Sequence, residues 1–110
     1  MSTEPRLKSR LIVQALIRQA EIAGFAAAIL HRGDDDAGGI MLAVDRYPAG
    51  SRLFDRARDG EGRLVWTAAD GGALLDPPSL AERIERARRR DPDLWVVGVE
   101  DPKGLYQPAP

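Results

Sequence analysis

The chain has 110 residues, 44% of them hydrophobic and 30% charged, which suits one globular domain large enough for a real core. Its 16 basic and 17 acidic side chains leave a net charge of -1, so no global field favours nucleic acid or an anionic membrane, and any such binding must come from a local patch. Cysteine is absent, which excludes a disulfide framework, a thiolate nucleophile and a cysteine-ligated zinc or iron–sulfur cluster.

Residues 1–6 read as a flexible N-terminus without the basic-then-apolar layout of a secretory signal. No apolar run approaches the roughly 20 residues that a membrane helix needs. The expectation is a cytoplasmic protein with one α+β domain over residues 7–101 and a short tail over 102–110.

Leu7 to Ala23 reads as a helix of good formers without internal Gly or Pro, closed by Gly24. Ile12, Val13, Leu16, Ile17, Ala20 and Ala23 make a broad apolar arc at helical spacing. Leu11, Ala15 and Ile22 fall elsewhere on the wheel, with Arg18 among them. That second face either packs within the domain or meets a partner.

Phe25 to Leu30 and Ile40 to Val44 are apolar runs around the loop Gly33 to Gly39, and read as two antiparallel strands. Arg52 to Arg58 and Arg63 to Ala69 read as a hairpin around Asp59-Gly60-Glu61-Gly62. With Arg58 opposite Arg63, Leu53, Ala57, Leu64, Trp66 and Ala68 share the core face. Arg52, Phe54, Arg56, Arg63, Val65 and Thr67 then share the other.

After a Gly- and Pro-rich connection, Ser79-Leu80-Ala81-Glu82 matches a capping box that opens a helix running to about Arg90. Pro92 blocks its continuation. Leu94 to Val99 is the last strand. The order α-β-β-β-β-α-β predicts a mainly antiparallel sheet packed with two helices. The runs Phe25 to Leu30, Ile40 to Val44 and Leu94 to Val99 are apolar on both sides, so they are expected at the sheet centre, with the hairpin toward an edge. The helices then divide between the two faces, or a second subunit closes one face. Gly98 leaves an opening in one face of the last strand.

Chemistry-bearing groups are sparse. His31 with Asp34, Asp35 and Asp36 is the nearest approach to a metal or acid–base cluster, but Gly38 stands where an EF-hand loop needs its third acid. A solvated acidic turn is the expected reading, with no metal and no cofactor. A metal-assisted hydrolase is the least favoured alternative. Ser79 is occupied as a cap, Ser51 lies in a turn and Ser9 on a helix, so no pattern sets a nucleophile beside His31. The glycines around Asp59 lack a phosphate loop's Lys-Ser/Thr ending and precede a strand. Arg52, Arg56 and Arg63 around Phe54 form a candidate nucleic-acid face, although an RNA-recognition signature is missing. Trp66 and Trp95 lie in apolar strand patterns and read as core anchors.

Taken in order, Pro5-Arg6-Leu7-Lys8, Val13-Gln14-Ala15-Leu16-Ile17-Arg18, Arg32-Gly33-Asp34 with Ala37-Gly38, and Asp91-Pro92-Asp93-Leu94-Trp95-Val96-Val97 resemble the bacterial domain-of-unknown-function family 1491. The resemblance implies a small standalone protein without an assigned activity, so it transfers no catalytic or binding residue. The leading expectation is a non-enzymatic protein-interaction module that meets an unknown partner or a second copy of itself, with Leu11, Ala15, Arg18 and Ile22 as a candidate surface. Weak RNA or DNA binding through the arginine hairpin is the alternative.

Overall fold

A computed structural model describes residues 8–108, with Arg58 described by its backbone alone. The elements are α1 (Ser9–Ile22), β1 (Ala27–His31), β2 (Ile40–Asp45), β3 (Ser51–Arg58), β4 (Leu64–Ala68), α2 (Pro77–Arg90) and β5 (Trp95–Glu100). The sheet is mixed, in the order β1-β5-β2-β3-β4, with β2 and β5 parallel and the other neighbours antiparallel. The predicted element order and α+β class hold. No helix among the described residues is long and apolar enough to cross a membrane.

Four expectations are corrected. First, β1 and β2 do not pair, because β5 inserts between them and hydrogen-bonds to both. Second, β1 is therefore an edge strand and largely exposed, whereas β2 and β5 take the centre. Half of its apolar run, Ala26 to Ala28, is alanine, which asks for little cover. Third, Arg58 lies opposite Leu64, one residue from the predicted register. A three-residue loop explains the shift: the Asp59 amide donates to the Arg63 carbonyl, the Asp59 side chain accepts from the Glu61 and Arg63 amides, and Gly62 takes a φ of 81°. Fourth, α2 begins at Pro77, and its cap is Asp76, whose carboxylate accepts from the Ser79 amide at 2.9 Å. Two prolines at the helix start need no amide partner, so the cap lies three residues upstream of the box seen in the sequence.

The sheet is covered by one helix on each face. Against α1, Val13, Leu16 and Ala20 pack on Ile40, Leu42, Val44, Trp95, Val97 and Val99, with Phe25, Phe54, Trp66 and Tyr106 at the margin. Against α2, Ile84 and Ala87 pack on Met41, Ala43, Leu53, Leu94 and Val96. Residues two apart on a strand share a face, which explains why β2 and β5 alternate between the two clusters and are apolar throughout.

Asp101 closes the end of β5. Its side chain is buried and accepts from the Leu105 and Tyr106 amides at 2.8 and 3.0 Å, which turns Tyr106 back onto Phe25. Asp101→Ala is expected to cost about 1–3 kcal/mol, because two amides and an emptied polar site lose their partner. A denaturant titration checks this: a midpoint equal to that of the parent chain would contradict the role.

Candidate functional site

The loop that joins β1 to β2 gathers most of the polar sequence features, and its geometry is structural. Asp34 accepts from the Asp36 and Ala37 amides, Asp35 pairs with Arg32, and Asp36 pairs with Lys8. The three carboxylates point to three different partners. Among the described residues no group of three His, Cys, Asp or Glu side chains converges as metal ligands would. His31 sits apart at the end of β1. Ser9 Oγ donates to the Gly38 carbonyl, so the hydroxyl nearest this loop braces it against α1.

The same loop locks onto the start of β5. Trp95 is fully buried and its indole N–H donates to the Asp34 carbonyl at 2.7 Å, while the Arg32 guanidinium lies 5.2 Å above its ring. The Asp34 amide donates to the Asp93 carbonyl, and Asp91 accepts from the Gly39 amide. Arg32-Gly33-Asp34, Ala37-Gly38 and Asp91 to Trp95 therefore form one interlocked unit.

The candidate nucleic-acid face is rearranged by the register. Arg52, Phe54 and Arg56 share the α1 side of β3, but Phe54 packs at the margin of the core. Arg56 stacks 5.3 Å above Trp66, and burial pulls its guanidinium below its ordinary pKa. Arg63 falls across the pleat from Phe54 and pairs with Asp59 and Glu61. Arg52 and Arg63 are both exposed, but on opposite faces of the hairpin, so the four residues do not form one surface.

On the other side of β3, Asp55 lies near Arg83 and Arg90 of α2. Desolvation raises its carboxyl above the ordinary value, against the opposing pull of Arg90 and Arg83. The folded protein thus holds this proton more tightly than the unfolded chain does, so the ionised group lowers stability at neutral pH and stops doing so as pH falls through its folded pKa. Asp55→Asn is expected to raise the melting temperature at about pH 7 and to give no gain at about pH 3, below the ordinary carboxyl range. Melting curves at the two pH values check it; an equal gain at both would show that ionisation is not the cause.

Two apolar surfaces are left uncovered by the described residues. On the outer side of α1, Leu11 is 42% and Ile22 75% exposed, with Ala15 and Arg18 also exposed beside them. The sheet does not bury this predicted second face. The other surface was signalled in the sequence only by Gly98. α2 covers β2, β3 and the first half of β5, and no β1 residue joins its cluster among the described residues. A groove of about 250 Å³ remains, floored by Ala28, Gly98 and Ala43 and walled by Leu30 and Leu80. Ala28 and Ala43 flank Gly98 as its strand partners, so two methyl groups and a bare backbone position stand in one row across the sheet. A depression of about 470 Å³ continues it past Leu80 between α2 and His31. At the opposite end Asp45 and Glu100 are neighbours across β2 and β5, both exposed and without an ion pair among the described residues.

The family model for DUF1491, a protein family of unknown function, matches residues 7–106. A crystal structure of a DUF1491 family protein from Caulobacter crescentus CB15 is 38% identical, covering 94% of this chain and 98% of that one, with a TM-score of 0.78. An NMR structure of a DUF1491 family protein from the same organism is 39% identical over 92% of this chain and 91% of that one, with a TM-score of 0.74. The solution structure of protein Atu0922 from A. tumefaciens is 28% identical over 96% and 100% of the two chains, with a TM-score of 0.76. Among curated proteins none matches.

Proposed function

The chain belongs to the DUF1491 family, whose function is unknown, and from that premise we propose that it is a non-enzymatic protein-interaction module whose binding surface is the half of the sheet face that α2 leaves open. The observation that carries this reading is the groove over Ala28, Gly98 and Ala43. It is concave, mainly apolar and bordered by the edge strand β1, where Leu30 is 50% exposed. Concave apolar surface beside an unpaired strand edge is how sheets accept protein segments. The outer stripe of α1 is convex and broken by Arg18, and it supports at most a second, weaker contact such as self-association. The three carboxylates of the loop are taken up by its own amides, Arg32 and Lys8, and its Asp34 carbonyl by Trp95, an arrangement that supports a bracing role for the loop rather than catalysis.

A substitution inside the groove tests the reading. The three atoms nearest an added Cβ at Gly98 are Leu30 Cδ1, Cδ2 and Cγ at 3.0–3.1 Å, all side chain, so Gly98→Leu fills the groove by pushing Leu30 aside rather than backbone. The chain carrying this change is expected to keep its circular dichroism spectrum and to lose the proteins that the parent chain retains from nuclease-treated cell extract. Retention unchanged by Gly98→Leu, or abolished by nuclease, would refute the assignment.

A further inference from the structure

Resting on that reading of the groove, we infer that its occupant is an extended segment of a partner protein that adds to the outer edge of β1 as a sixth strand, presenting a Lys or Arg two residues from an aliphatic side chain.

Edge strands in soluble proteins are guarded by charge, proline or a cover, because their unpaired amides and carbonyls accept any extended chain. From Phe25 to Leu30 this chain carries neither charge nor proline. The guard is confined to the end of the strand, where the pairing with β5 shifts between Ile29 and His31. The opposite edge, β4, is also uncharged, but most of its side chains are half-buried and Trp66 lies beneath Arg56. Among the described residues β1 is therefore the edge that stays open, and the groove lies directly beside it.

The side-chain pattern follows from register. Ala28 stands opposite Gly98, and the Glu100 amide donates to the Ala26 carbonyl, so Ala26 and Ala28 lead to two different parts of the groove. A strand beside β1 places every second side chain on this face. The residue next to Ala28 faces the apolar floor between Leu30 and Leu80, where an aliphatic group fits. Its neighbour two positions along, next to Ala26, faces the end where Glu100 and Asp45 stand together. No basic side chain lines that end among the described residues, and Tyr47, 77% exposed, offers its ring there. Asp45, whose Oδ1 accepts from the Tyr47 amide, and Glu100 carry two adjacent negative charges without an ion pair among the described residues, and they favour a long cationic side chain that can reach across the alanines to them.

Selection from a displayed library of random peptides about ten residues long, a length sufficient for strand addition, tests the inference. The expected result is enrichment of peptides with Lys or Arg two positions from Leu, Ile or Val. Their affinity should fall about tenfold with Glu100→Lys, and the preferred residue at that position should become acidic, since one attractive contact is exchanged for a repulsive one. Methylation of alternate amides of a selected peptide should abolish binding by removing the strand hydrogen bonds. Enriched peptides that lack a basic residue and ignore Glu100→Lys, yet are lost on Gly98→Leu, would overturn this occupant while leaving the groove as the binding surface. Binding only by a second copy of the chain, seen as a dimer in light scattering that Gly98→Leu abolishes, would overturn it in the same way. No enrichment, or binding that Gly98→Leu does not touch, would overturn both.

Discussion

Replacing Trp95 by Ala is expected to lower stability by about 3–5 kcal/mol, the range for emptying a large aromatic site in a core. Trp95 is fully buried between α1 and the sheet, and it also anchors the β1–β2 loop through the bond to the Asp34 carbonyl. Natural domains have about 5–15 kcal/mol in total, so this one change consumes a large share. The melting temperature should fall by on the order of 20 °C. Trp95→Phe separates the two contributions. It keeps most of the apolar volume but removes the indole donor, leaving the Asp34 carbonyl without that partner at a cost of about 1–3 kcal/mol. If Trp95→Phe proves as damaging as Trp95→Ala, packing is not the larger part and the account is wrong.

The second large effect is expected at Gly38. Its φ of 103° lies where side chains are rarely tolerated, and a Cβ built there collides with the Asp93 carbonyl group, which is backbone and cannot swing aside. Gly38→Ala combines a backbone penalty of about 1–2 kcal/mol with an overpacking cost of about 1–3 kcal/mol. Gly33→Ala meets the same strand, with its Cβ 2.6 Å from Trp95 Cδ1. Gly60→Ala is the control: nothing lies within 4 Å of its Cβ, and the change should stay within about 0.5 kcal/mol. Denaturant titration of the three variants ranks them. Equal midpoints for Gly38→Ala and Gly60→Ala would remove the close approach as the reason for glycine in this loop.

Local signals in the chain were read well where a single stretch decides the outcome. The periodicity of α1, the arrest of α2 before Pro92 and the two-sided apolarity of β2 and β5 each follow from adjacent residues. Signals that depend on partners distant in sequence were not legible. Nothing in Phe25 to Leu30 or Ile40 to Val44 tells that a strand from the far end of the chain will part them. Composition did hold a clue to the edge position of β1, since three consecutive alanines cannot fill a central strand as Met41, Leu42 and Val44 do. The hairpin register turned on whether Asp59 belonged to the loop or to the strand, a choice set by the Asp59 side chain and the positive φ of Gly62. Of the proposed binding surface, the sequence signalled one residue, Gly98. The groove exists because Ala28 and Ala43 stand beside it and α2 lies over other strands, facts that arise only in the folded sheet.

The insertion of β5 between β1 and β2 also orders events in time. During synthesis both strands leave the ribosome well before β5 is made, and at translation rates of about 5–20 residues per second the wait lasts seconds. Throughout that interval β2 can pair with β3, as their short connection allows, but its other edge is bare and β1 has no neighbour at all. The nascent chain thus carries an apolar vacancy shaped for one strand. The sheet can therefore close only when Leu94 and Trp95 arrive, and the last strand made is the one that joins the first two.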